Sequence, residues 1–259
     1  MKSILNPRIL GHGNPTSFLW VAFWAAAAIL SGGSVAGGAT LKFAGIEWTV
    51  REGQGGPGPN TWESRNVFVD AQGFLHLKLV QREGRWSCAE VTSRDRFGFG
   101  RYEFEVEGAI DRWDQNVVLG LFNYPTGDVG GDETHEIDIE FARWGRADAP
   151  TGNYTVWPVE KTLRPTSKTF AFTLKSSSSR HCFDWTSSRV SYQSLQPGIE
   201  KAWEPFQDWT FQPEDGPRRI AQKPMPVHMN LWLFKGRPPL DGKEIEVVVR
   251  QFVFRPLGG

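Results

Sequence analysis

Glu136-Ile137-Asp138-Ile139-Glu140-Phe141 holds the side chains of this sequence best suited to chemistry. Side chains alternate across a β-strand, so in extended conformation Glu136, Asp138 and Glu140 share one face. Ile137, Ile139 and Phe141 share the other, which suits a core. Three carboxylates in a row disfavour one another's ionisation, and a purely structural strand gains nothing from that. A face that pushes carboxyl pKa values apart is what a paired acid and nucleophile require, as in cleavage of a glycosidic bond. At about 3.3 Å per residue the Cα atoms of Glu136 and Glu140 lie roughly 13 Å apart. Retaining glycoside chemistry needs the two carboxyls about 5–5.5 Å apart, so both glutamates must lean together over the shorter Asp138. Asp138 then hydrogen-bonds to one of them and shares a proton. The competing reading is a calcium-binding or merely solvated acidic face. Hard cations do take clustered carboxylates, but usually on Gly- and Asn-rich loops, which strand alternation with Ile between the acids fits poorly.

The elements that must position this strand read as β throughout. Phe74–Val80, Arg101–Glu107 and Glu244–Phe254 alternate as half-buried strands, with Glu103, Glu105 and Glu107 on one face of the second. Turn signals separate such runs at Asp70–Gly73, Glu83-Gly84 and Asp241-Gly242. With 28 Gly, 17 Pro and almost no helical periodicity, the sequence implies an all-β antiparallel sandwich in one domain spanning residues 37–259. Residues 193–224 read as a long loop carrying Trp203, Phe206, Trp209 and Phe211, either a binding wall or a flap packed on the sandwich. Twelve Trp and 18 Phe are a heavy aromatic load, divided between core and sugar-stacking positions.

Residues 1–36 read as an export signal. Lys2 and Arg8 precede the apolar stretch Phe18–Leu30, and Ser34-Val35-Ala36 is a plausible cleavage site; an uncleaved anchor is the alternative. A secreted or periplasmic location follows. Cys88 and Cys182 fit no zinc pattern and are expected to be either paired with each other or buried. The 29 basic and 29 acidic residues balance, which gives nucleic acid no support as a partner.

The carboxylate strand resembles the signature of glycoside hydrolase family 16, in the uninterrupted form of its lichenase and xyloglucan-enzyme branch. Cys88-Ala89-Glu90-Val91 followed by Phe97–Glu103 is similar to the two family strands that precede it. Leu121–Tyr124 looks like the cleft strand just upstream, Phe183-Asp184-Trp185 with Val190-Ser191-Tyr192 like the convex hairpin, and Met229–Trp232 like the late cleft strand. These matches keep the family's order over roughly residues 60–254. The resemblance implies a concanavalin-like β-jelly-roll sandwich with a concave substrate cleft. It implies a retaining, endo-β-1,3-1,4-glucanase-like hydrolase, with Glu136 as nucleophile, Asp138 as the assisting carboxylate and Glu140 as general acid/base. Glu90, Phe122, Tyr124, Asn230 and Trp232 are implied to bind the polysaccharide substrate. No cofactor is required; a structural calcium ion on the convex side and a monomeric state are consistent with it, and no membrane partner beyond the export signal is implied. Thr134-His135 stands where lichenases carry Trp-Asp, which puts strict lichenase specificity in doubt. Asn153-Tyr154 and Trp157 only loosely echo the Asn and aromatic pair expected after the catalytic strand. Rival readings are a transglycosylase on similar glucans and a non-catalytic glucan-binding module.

Overall fold

A computed structural model describes residues 38–199 and 202–258. Its strands are β1 (Thr40–Phe43), β2 (Ile46–Val50), β3 (Gly53–Gly55), β4 (Asn60–Trp62), β5 (Val67–Val69), β6 (Leu75–Arg82), β7 (Arg85–Ser87), β8 (Ala89–Phe97) and β9 (Gly100–Glu107). There follow β10 (Val117–Asn123), β11 (Ile137–Ala142), β12 (Gly152–Val156), β13 (Thr166–Phe170), β14 (Ser178–Trp185), β15 (Val190–Pro197), β16 (Trp203–Phe211), β17 (Met225–Leu233) and β18 (Ile245–Pro256). The front sheet runs β1-β2-β8-β17-β10-β11-β12-β13, and the back sheet runs β16-β15-β14-β9-β18-β6-β5 with β7 paired to β6. Both sheets are antiparallel, and together they form the sandwich expected from the strand pattern, in the jelly-roll form that the family resemblance implies.

The alternation read from sequence decides which side of each strand meets the core. Tyr102, Phe104 and Val106 of β9 are fully buried, while the intervening glutamates turn outward. There Glu105 pairs with Arg180 at 2.9 Å and Glu107 with Arg250 at 2.8 Å, so the acidic stripe is neutralised by arginines of β14 and β18. Ile137, Ile139 and Phe141 are buried in the core as expected, which leaves the acids of β11 on the outer face of the front sheet. Aromatic contacts join the sheets: among them, Tyr154 of β12 stacks on Tyr192 of β15 at 4.6 Å, and Trp48 of β2 meets Phe252 of β18 edge-on at 5.7 Å. Tyr192 Oη also donates to the Thr155 carbonyl at 2.9 Å, which pins the strand beside β11.

One expectation changes here, and one pair of alternatives is decided. Residues 193–224 are not one long loop: they contain the end of β15 and all of β16, the outermost strand of the back sheet. Pro205 and a register shift at Ser194/Leu195 break the alternation, so the sequence resembles a loop. Its aromatics pack on the sandwich, with Phe206 stacked on Phe172, Trp209 on Tyr192, and Trp203 beneath the Arg180 guanidinium. They form no wall on the front face. Cys88 and Cys182 are both free and buried, so no disulfide links them, and burial pushes their thiols up to about 12 and about 11. The export-signal residues lie outside the described residues.

Candidate active site

Register carries the site. Across the outer face of the front sheet, one row runs Glu90–Asn230–Gly120–Glu140–Asn153 through β8, β17, β10, β11 and β12. The next row runs Thr92–His228–Phe122–Asp138–Thr155 through the same strands. Cross-strand partners lie on one face, so the two rows form a continuous polar and aromatic floor. Glu90, Asp138, Asn153 and Asn230 are only 3–5 % exposed although they point away from the core. Side chains on an open sheet face are not covered in that way, so the face is recessed.

Strand β11 begins at Ile137, one residue after Glu136, and a strained turn delivers it. Glu133 and His135 both have positive φ, 68° and 63°, a region costly for residues with a Cβ. Gly130 makes room for this turn, because a Cβ there would lie 2.3 Å from His135 Nδ1. The His135 amide donates to the Pro158 carbonyl at 3.0 Å, and Nδ1 lies 2.8 Å from the Thr134 hydroxyl. His135 thus belongs to the turn that precedes β11.

All three acids are driven toward their protonated forms. Burial, then the Glu140 charge, pushes Glu136 up to about 8, with a hydrogen bond to Asp138 opposing. Burial, then Glu136, raises Asp138 well above the carboxylate range, and burial, then Asp138, does the same to Glu140. Two carboxyls can hydrogen-bond only through a proton, so Glu136 and Asp138 share one. Trp157 Nε1–H donates to Asp138 Oδ2 at 2.9 Å, while Oδ1 receives no bond from an N–H or hydroxyl donor. Oδ1 is thus the Asp138 oxygen left free to carry a proton.

This arrangement costs stability in a pH-dependent way. A folded-state carboxyl with a raised pKa keeps its proton between about pH 4.3 and 8, where the unfolded chain has released it, so stability falls as pH rises through that window. Glu136→Gln is expected to stabilise the fold by about 2 kcal/mol at pH 8, or about 5 °C in Tm, and by much less at pH 5. Thermal melts at the two pH values check this; equal shifts would show that Glu136 is not held against its ionisation.

The other expected site residues divide. Phe122 and Tyr124 are half-buried on the outer face, where Phe122 stacks on His228 at 5.1 Å and Tyr124 Oη donates to Asp132 at 2.7 Å. Asn230 lies over Gly120 beside Glu140, and its Oδ1 is buried with no partner. A Cβ on Gly120 would lie 2.5 Å from that oxygen. Gly120→Ala is therefore expected to cost about 1–2 kcal/mol, read as a lowered denaturant midpoint with unchanged slope. Trp232 shares the face of Asn230 but is only 3 % exposed, beneath Trp144 at 6.3 Å between ring centroids. The accessible ring at that end is Trp144, held in the left-handed region at φ 54° with Nε1 directed to Asn153 Oδ1 at 3.3 Å. Glu90 accepts from Arg51 at 2.8 Å and lies 3.1 Å from His228 Nδ1. Burial alone raises its pKa, but His228 and Arg51 outweigh burial and keep it ionised.

Sequence reasoning passed over Arg51, Trp144 and His228, and undervalued Asn153 and Trp157. Asn153 faces Glu140 across β12, and Trp157 holds Asp138. The signal for both was the alternation Asn153, Thr155, Trp157 just after the acid strand. Among the described residues no group of three or more His, Cys, Asp or Glu side chains could hold a metal ion.

No family model matches the chain. A β-glucanase of Paenibacillus polymyxa is 29 % identical over 175 residues, 66 % of this chain and 64 % of that protein, so the match spans less than two thirds of that relative. A β-glucanase of Paenibacillus macerans is 28 % identical over 190 residues, 71 % of this chain and 70 % of that protein. Among solved structures, the β-glucanase of Bacillus licheniformis superposes with a TM-score of 0.59 at 21 % identity, over 84 % of this chain and 98 % of that one. A mixed linkage glucan glycoside hydrolase family 16 structure from Bacteroides ovatus, in complex with a G4G4G3G product, gives 0.57 at 11 % identity, over 80 % and 94 %. These structures share the jelly-roll fold.

Proposed function

On the premise that this chain resembles the β-glucanases of glycoside hydrolase family 16 in both sequence and fold, we propose that it is a secreted, retaining endo-β-glucanase acting on β-1,3/1,4-glucan or a related β-glucan. The observation that carries this reading is the row of Glu136, Asp138 and Glu140 on the recessed face, Asp138 buried between two half-buried glutamates and all three with raised pKa values. Asp138 keeps its proton, because burial and its neighbour raise it well above the carboxylate range, and donates it to an ionised Glu136. Glu136 then attacks the anomeric carbon, the glycosidic C–O bond breaks, and Glu140 passes its proton to the leaving oxygen. Water next attacks the glycosyl-enzyme, Glu140 takes its proton, and Glu136 is released as carboxylate with the anomeric configuration restored. Phe122 and Tyr124 offer ring faces and edges to sugar units, and Asn230 offers an amide oxygen that already lacks a donor.

A transglycosylase would need an acceptor site beside the acids, and the aromatics of residues 193–224 instead pack on the sandwich. The binding-module reading expects an incomplete acid set, and here the set is complete. Export rests on residues 1–36; among the described residues no helix is long and apolar enough to cross a membrane. The test is reducing-sugar release from barley β-glucan, laminarin and xyloglucan, with the product anomer followed by NMR and a labelled acceptor present. Initial β-anomer without label transfer is the expected result. Absence of release from all three glucans overturns the reading, and initial α-anomer overturns the retaining step.

A further inference from the structure

We propose that His228 is a specificity-determining residue that reads a sugar hydroxyl through Nε2, and that Glu90 acts through it as a positioning residue. The inference rests on the glucanase reading above. The chemistry follows from what each atom has left to do. Both Glu90 oxygens are engaged, Oε2 by Arg51 at 2.8 Å and Oε1 by His228 Nδ1 at 3.1 Å. A carboxylate only accepts, so in the neutral ring the hydrogen is on Nδ1, and the Thr92 hydroxyl oxygen, also 3.1 Å from Nδ1, shares it. Nε2 then carries a lone pair. No described residue bonds to it, and it is not among the enclosed polar atoms, so it opens onto the recessed face.

The ring is held by two aromatic neighbours as well as through Nδ1. It stacks on Phe122 at 5.1 Å and 25°, and meets Tyr124 edge-on at 5.8 Å. Glu90 is itself anchored by Arg51, whose guanidinium lies 4.2 Å over the Trp62 ring. An imidazole held this tightly presents its acceptor in one direction, which is the requirement for selecting one hydroxyl over another. The row Thr92–His228–Phe122–Asp138 places His228 two strands from the acid strand, about 10 Å, or roughly two sugar units from the cleavage point. Glu90, implied by resemblance to touch sugar directly, is on this geometry occupied by holding the group that does.

The test compares the wild type with His228→Phe, which keeps a ring against Phe122, and His228→Gln, which restores an acceptor. The probes are β-1,3/1,4-linked gluco-oligosaccharides of increasing length. Kd is measured by calorimetry in the Glu136→Gln background, and KM and kcat in the otherwise unaltered enzyme. His228→Phe is expected to raise Kd and KM about tenfold once the oligosaccharide reaches this position, with kcat changed less than about twofold, and His228→Gln to recover most of the loss. A wild-type Kd in His228→Phe at every length overturns the proposal. So does a fall in kcat of equal size at every length with no rescue by Gln, which marks a packing role. A wild type that binds these oligosaccharides but releases no sugar sinks the hydrolase reading and leaves the Kd comparison to decide this one.

Discussion

Glu136→Gln is expected to lower kcat on glucan by about 10⁴-fold or more while leaving oligosaccharide binding within a few-fold of wild type. Gln matches Glu in shape and still accepts the Asp138 proton, so the floor of the site is preserved. What is lost is the anionic oxygen that bonds to the anomeric carbon, and nothing else in the row replaces it. Asp138 is too short and is committed to Trp157, while Glu140 must retain its proton to serve the leaving group. The same substitution is expected to raise Tm at pH 8. Loss of turnover together with gain of stability in one variant separates a site held under strain for function from an acidic face that merely solvates the sheet. Activity within tenfold of wild type would remove Glu136 from the role of nucleophile.

The fold was legible because β-structure writes its two faces into alternate residues, and the acid strand did so with an Ile or Phe after every acid. That pattern placed Ile137, Ile139 and Phe141 in the core and the three carboxyls outside it before any strand pairing was known. What sequence could not show was which strands lie side by side. His228 follows Glu90 by 138 residues, and only the pairing of β8 with β17 brings them together. Arg51 is reached the same way, through the pairing of β2 with β8. Trp232 shows the opposite failure: alternation assigned its face correctly but could not reveal that Trp144, 88 residues earlier in the chain, covers it. The 193–224 segment misled for a local reason, since proline and a register shift in an edge strand imitate the composition of a loop.

The front face also has a chemical polarity that bears on substrate choice. Toward β8 and β2 it is charged, with Arg51, Glu90 and His228 in one hydrogen-bonded chain. Toward Trp144 and Trp232 it is aromatic, with the Asn153 amide between them and Glu140. His228 and Trp232 lie on β17 to either side of Asn230, so the charged and the aromatic ends differ along one strand and would give a bound chain of sugars a direction.

Glu140→Gln is expected to lower kcat on polysaccharide by about 10²–10⁴-fold, and the size of the loss should depend on the leaving group. A glucan hydroxyl leaves poorly without a proton, so removing the Glu140 acid slows formation of the glycosyl-enzyme. A dinitrophenyl glycoside leaves without one, so on that substrate the first step survives. The second step does not, because water has lost its base. A rapid burst of dinitrophenol, close to one equivalent per enzyme and followed by slow turnover, is therefore expected in Glu140→Gln and absent from Glu136→Gln. The pH profile supplies an independent reading. In the wild type kcat/KM should rise as Glu136 loses its proton and fall where Glu140 loses its own, and burial with the Asp138 charge holds that second limb well above the carboxylate range. Gln cannot titrate, so the high-pH limb should vanish in Glu140→Gln. A burst in neither variant, or an unchanged high-pH limb, would mean that the acid is another group, and Asp138, the remaining buried carboxyl of the row, would take its place.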